Sequence, residues 1–180
     1  MKKNLIYLAA IFTVFAAAAC KKSDTVAAAP AATTFTINGN TYTESGSNYV
    51  LNAATATVGA FATLAVAGQG TDGKAKGGLI FYFPGTSKPA AGTYTVVTDV
   101  SKATGNQVGI VAQDSVNVAQ QGLYSSVAGS TATVTVSSAG KLTIAMPNTS
   151  FTGSNFNNTN PKNTVITTVT VSASGTAVEN

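Results

Sequence analysis

The 180 residues carry ten lysines and six acids, no Arg, His or Trp, and only 9% charged side chains, against roughly 25% in ordinary soluble domains. From Phe35 onward six lysines (74, 76, 88, 102, 141 and 162) face five acids (Glu44, Asp72, Asp99, Asp114 and Glu179), so the footprint of a nucleic-acid binder is missing. With no His and a single Cys, a Ser-His-Asp arrangement is excluded and a zinc site lacks its ligands, so neither a metal nor a cofactor is expected.

The chain opens with Lys2 and Lys3, continues as an uncharged apolar run from Leu5 to Phe15, and passes through alanines to its only cysteine, Cys20. A positive n-region, a short h-region and small residues before a cleavage point make an export signal. A transmembrane helix needs about 20 apolar residues, and this run is shorter and ends at Lys21-Lys22. Ordinary signal peptidase cleavage also fits Ala17-x-Ala19, and a structural role for Cys20 has no disulfide partner within the chain. With Cys20 directly after Ala17-Ala18-Ala19, residues 1–19 resemble the signal peptide of a bacterial lipoprotein. The resemblance implies that Cys20 is lipidated on its thiol and becomes the first mature residue. Two or more acyl chains, at about 0.8 kcal/mol per buried CH2, would hold the protein stably on a membrane.

Residues 20–34 read as a tether of small residues without a period, its ends roughly 20 Å apart as a flexible coil. One domain is expected over 35–180. At Phe35 the pattern becomes that of strands. Asn38-Gly39 predicts a type I′ hairpin that sets Phe35 opposite Tyr42. Tyr49 to Leu51 and the alternating Ala60, Ala62, Leu64 and Val66 follow, and Leu79 to Phe83, apolar on both faces, marks a central strand. Thr93 to Val97 and Val108 to Ala112 are further strands. Asp114 to Ala128 also reads as strand, because Val116, Val118 and Gly122 disfavour a helix there. Thr131 to Val136 and Leu142 to Met146 form a second hairpin around Ser138-Ala139-Gly140, with Val134, Val136, Leu142 and Ile144 facing inward. Thr164 to Ser172 closes the domain. Strands every 10–15 residues or so with Gly-rich turns predict an all-β fold, an antiparallel sandwich or barrel of roughly 8–10 strands.

Two strings imitate catalytic motifs. Gly68 to Lys74 contains GxGxxG and GxxxxGK, but a phosphate loop needs a following helix and a hydroxyl after the Lys. Here Ala75 and a strand follow, so a hairpin loop is expected. Ser138-x-x-Lys141 has the spacing of penicillin-recognising enzymes without their Lys-Thr-Gly partner, and it too reads as a turn. The five acids show no spacing that singles out a glycosidase pair.

The segment 146–163, MPNTSFTGSNFNNTNPKN, is expected to be a long loop with an edge strand at Thr149 to Thr152. Its amides and rings favour a neutral sugar over a charged ligand, and Phe151, Asn155, Phe156, Asn157 and Asn158 are the candidate ligand-binding residues. The competing reading is a solvated turn cluster whose two phenylalanines tuck into the core. Separately, Asp24-Thr25-Val26 and Asp114-Ser115-Val116 resemble the Asp-Ser/Thr-apolar sites of protein O-glycosylation in the Bacteroidota, which implies Thr25 and Ser115 as acceptors.

The signal, the Cys-Lys-Lys start and the Phe-Thr-Ile-Asn-Gly opening together resemble small β-rich lipoproteins of the Bacteroidota. That likeness implies an outer-membrane lipoprotein on the periplasmic or cell-surface face. Its expected role is that of a non-catalytic binding or envelope-structural module, with a glycan or an envelope protein as partner and no nucleic acid. A carbohydrate-binding accessory protein using 146–163 is the first alternative, and a hydrolase built from scattered carboxylates is the second.

Overall fold

The computed structural model describes residues 33–54, 59–117, 120–157 and 165–180. Their regular structure is ten strands and one 3-10 turn at Val100–Lys102. In chain order the strands are β1 (Thr34–Ile37), β2 (Asn40–Asn52), β3 (Phe61–Gly70), β4 (Lys76–Pro84), β5 (Gly92–Val97), β6 (Gln107–Asn117), β7 (Gln120–Ser126), β8 (Thr131–Val136), β9 (Leu142–Asn157) and β10 (Val165–Val178). The fold is all-β, as the alternation predicts.

The first hairpin forms as its sequence dictates. Asn38 and Gly39 take φ of 51° and 79°, the left-handed pair that a type I′ turn requires. Phe35 lies across from Tyr42, with the rings stacked at 5.6 Å. The Tyr42 ring fits because the facing wall has no side chain: a Cβ on Gly77 would come within 2.6 Å of it.

Hydrogen bonding runs round in a ring. β1, β2, β3, β4, β6, β7, β9 and β10 pair in that order, and β10 returns to β1. Between β6 and β9 the wall is split along its length. At one end β7 fills the gap, bonding Val111–Asn117 of β6 and Phe151–Asn157 of β9. At the other end β5 and β8 fill it together, through Gln107–Gly109 of β6 and Leu142–Ala145 of β9. The sheet is therefore barrel-like, with one extra strand at one end. The β5–β6 pairing is parallel, a departure from the all-antiparallel expectation. A parallel pair needs a crossover rather than a tight hairpin, and the segment carrying the 3-10 turn supplies it.

Inward positions alternate with outward ones along each strand. The core holds Ile37, Leu64, Val66, Leu79, Phe81, Phe83, Ile110, Leu142, Ile144 and Phe151, all essentially without solvent exposure. Each such aliphatic or aromatic side chain stabilises by about 1.5–3 kcal/mol on burial. The chain end is pinned across the wall by carboxylates. Glu44 accepts from Thr33 Oγ1 and from the Val178 N–H. Glu179 accepts from the Leu142 N–H at 2.9 Å and pairs with Lys88 at 2.6 Å.

Four further expectations need correcting. The segment 146–163 is not one loop, because residues 146–157 belong to β9, a strand of 16 residues. Nor is Thr149 to Thr152 an edge, since β10 flanks it on one side and β7 bonds Phe151 and Thr152 on the other. The reason is a β-bulge: Met146 pairs with Gly175 and Thr149 with Ala173, so Pro147 and Asn148 together oppose one residue. The bulge shifts the inward set from even to odd numbers and hides the period. Val136 lies near the end of β8 and is 39% exposed, whereas Val134, Leu142 and Ile144 do face inward. Thr34, assigned to the tether, is already the first residue of β1.

Candidate functional site

At the β7 end of the barrel the inward positions turn polar. On β6 the inward alternation Ile110, Ala112 continues as Asp114, and Val116 follows within a register shift between Ser115 and Asn117. On β7 it runs Gln120, Gly122, Tyr124, and on β9 it passes from Phe151 and Gly153 to Asn155 and Asn157. On β10 the corresponding positions are Val165 and Thr167. Of these, Asp114, Val116, Gln120, Tyr124, Asn155, Asn157, Val165 and Thr167, with Asn38 from the first hairpin, line a cavity of about 300 Å³, within the usual size of small-ligand sites and at a usual place, the mouth of a barrel. Phe156 and Gln121, opposite one another in register and in the outward alternation, also border the cavity.

Asp114 and Tyr124 lie deepest, at 4% and 1% exposure. The Tyr124 hydroxyl stands 2.9 Å from Asp114 Oδ1 and 2.6 Å from Asn155 Oδ1. A phenol has one proton to give, and the carboxylate is the stronger acceptor. Asn155 therefore completes the chain by turning its amide nitrogen, isosteric with the oxygen, toward the phenol. Burial pushes the Asp114 carboxyl above the usual carboxylate range, opposed by hydrogen bonds from Tyr124, its own backbone N–H and that of Gly122. Burial, then the nearby Asp114 charge, raises the Tyr124 phenol as well. Tyr42, behind the site, is pushed up to about 12, first by burial and then by Asp114 and Asp72. Both phenols thus keep their protons at neutral pH. Gly122 makes the arrangement possible, because a Cβ there would sit 1.8 Å from the Tyr124 hydroxyl and 2.4 Å from Asp114 Oδ1.

Of the sequence candidates, Asn155, Phe156 and Asn157 meet at this cavity. Phe151 does not: it is fully buried in the core, which corrects its assignment to ligand binding. Ser115 lies mid-strand on β6, paired with Lys76 on one side and Gln121 on the other, and it follows the buried Asp114. Cys20, Thr25 and Asn158 lie outside the described residues.

Sequence reasoning weighed Tyr124 for stacking but missed Asp114 and Gln120 as partners of the Asn/Phe segment. The signal was an acid at an inward position of an alternating strand, 110-112-114.

The remaining acids have local tasks. Asp72 accepts from the N–H groups of Lys74 and Ala75 in the β3–β4 turn, which holds its carboxyl below the usual range. The GxGxxG string thus spans the end of β3 and the hairpin turn that leads into β4. Asp99 caps the 3-10 turn through Ser101 and pairs with Lys102. Ser138 and Lys141 lie in the β8–β9 turn, where Ser137 Oγ accepts from the Lys141 N–H. Among the described residues no group of three His, Cys, Asp or Glu side chains is placed to hold a metal ion. No helix there is long and apolar enough to cross a membrane.

The side chains gathered here can hydrogen-bond hydroxyl groups. Amides offer donors and acceptors in equal measure, the buried carboxylate accepts, and the Phe156 ring gives an apolar border. Comparison of this chain with protein-family models, with curated proteins and with solved structures finds no match.

Proposed function

We propose that the protein is a lipid-anchored, non-catalytic binding module of the bacterial outer membrane, whose polar barrel mouth takes a small, uncharged, hydroxyl-rich ligand. The observation that carries this reading is the buried Asp114–Tyr124–Asn155 chain at the bottom of a cavity lined by further amides. A buried carboxylate without a cationic partner costs stability, and a ligand hydroxyl repays part of that cost. Asp114 is the one carboxylate among the described residues that line the cavity, and hydrogen bonding is the role assigned to it. The carbohydrate reading gains over a purely structural one because Asn155, Phe156 and Asn157 are gathered with an acid and a phenol.

Anchoring rests on residues 1–20, which read as a lipoprotein signal. Two measurements test the proposal. Cys20→Ser should move the protein from the membrane to the soluble fraction, and unchanged membrane retention would refute the anchor. Calorimetric titration with a panel of plant, host and bacterial glycans should give a saturable signal that Asn155→Ala weakens. A flat response across the panel would refute the glycan reading.

A further inference from the structure

The cavity has a floor. Below Asp114 and Tyr124 the barrel interior is filled by Ala112, Phe35, Tyr42 and Phe151, all with 1% exposure or less. A ligand chain can enter from the β7 end but has no path through. The borders are the opposite: Val116 and Val165, which both line the cavity, are 42% and 55% exposed. The volume, about 300 Å³, is at the small end of the range of ligand sites, and the filled interior beneath it leaves a blind pocket rather than a through-going groove.

We infer that the mouth recognises the terminal residue of a neutral glycan end-on, rather than the internal run of a chain. This rests on the glycan reading above. The last ring sits on the floor and gives hydroxyl protons to Asp114, while Asn155 and Asn157 meet its remaining hydroxyls. Phe156, on the border, lies beside the next residue as the chain leaves. Anions are disfavoured by the Asp114 charge. The lining holds a carboxylate and amides but no lysine.

The test uses the full-length, lipidated protein in detergent micelles, with saturation-transfer NMR and calorimetry. The probes are the methyl glycosides of glucose, galactose, mannose, xylose and N-acetylglucosamine, linear oligosaccharides of two to six residues of each sugar, and cyclic oligosaccharides, which have no ends. At least one methyl glycoside should bind, and its affinity per chain should change less than about threefold from two residues to six. The cyclic form of the same sugar should not bind. Asp114→Asn and Asn155→Ala should each weaken binding about tenfold or more, the range of one hydrogen bond to a charged group. An affinity that climbs tenfold with chain length, or equal binding of a cyclic probe, overturns end-on recognition and leaves the glycan reading standing. Unchanged affinity in both variants overturns this site. No binding by any saccharide, or binding of tetramethylammonium chloride in their place, overturns the glycan reading itself.

Discussion

Asp114 shows how one side chain sets stability and binding against each other. Its carboxyl is raised in the folded state, so between the ordinary carboxylate value and that raised value the folded chain holds more protons than the unfolded one. Stability therefore falls as pH rises through that window, and the whole penalty is present above it. Asp114→Asn keeps an oxygen for the Tyr124 hydroxyl and removes the charge. It should make the protein more stable than wild type at pH 7, with the gap closing near pH 3, as read by urea denaturation at the two pH values. A variant less stable at pH 7 would show that the ionised form is favoured by its surroundings. Gly122 adds a steric constraint: Gly122→Ala forces a methyl into the Tyr124–Asp114 contact. It should cost about 1–3 kcal/mol, the usual range for overpacking, and should also impair ligand binding.

At the scale of elements, β9 carries both the core and the site, and its bulge divides the two tasks from the pattern one would read. Leu142, Ile144 and Met146 alternate plainly, and the hairpin they make with β8 was legible for that reason. Beyond Pro147 the same face is continued by Thr149, Phe151, Gly153 and Asn155, shifted by one and written in residues that usually mark loops. Composition alone cannot tell a polar barrel mouth from a turn cluster, because both are rich in Asn and Gly. Likewise Asn155 and Phe156 stood out in the sequence, while Asp114 and Tyr124 join them only through the β6–β7 and β7–β9 registers. One pair of substitutions separates the roles. Phe151→Ala should cost about 3–5 kcal/mol, as for a large ring removed from a packed core. Phe156→Ala should leave the denaturation midpoint nearly unchanged and weaken glycan binding. Equal loss of stability in both would place Phe156 in the core instead.

For the whole molecule, the two ends of the barrel differ in what they present. β10 begins with Val165 at the mouth and ends with Val178, which is tied through Glu44 to Thr33, the first described residue. Thirteen steps of about 3.3 Å separate those positions along the strand, so the anchor proposed on Cys20 would put the mouth at the end away from the bilayer. A fluorophore at Ser138, in the turn at the far end, should be quenched by spin-labelled lipid more strongly than one at Ile166 beside the mouth. The reverse order would invert the proposed orientation. The ring itself has a temporal side. Phe35 meets Gly175, 140 positions later, so the first strand has no neighbour on that edge until nearly the last has been made. At about 5–20 residues per second of synthesis, that interval is on the order of ten seconds, during which the nascent polypeptide stays open and threadable. Closure then depends on an encounter between residues 140 positions apart, the kind that makes folding slow, and it leaves the ring no open edge among the described strands from which to unzip.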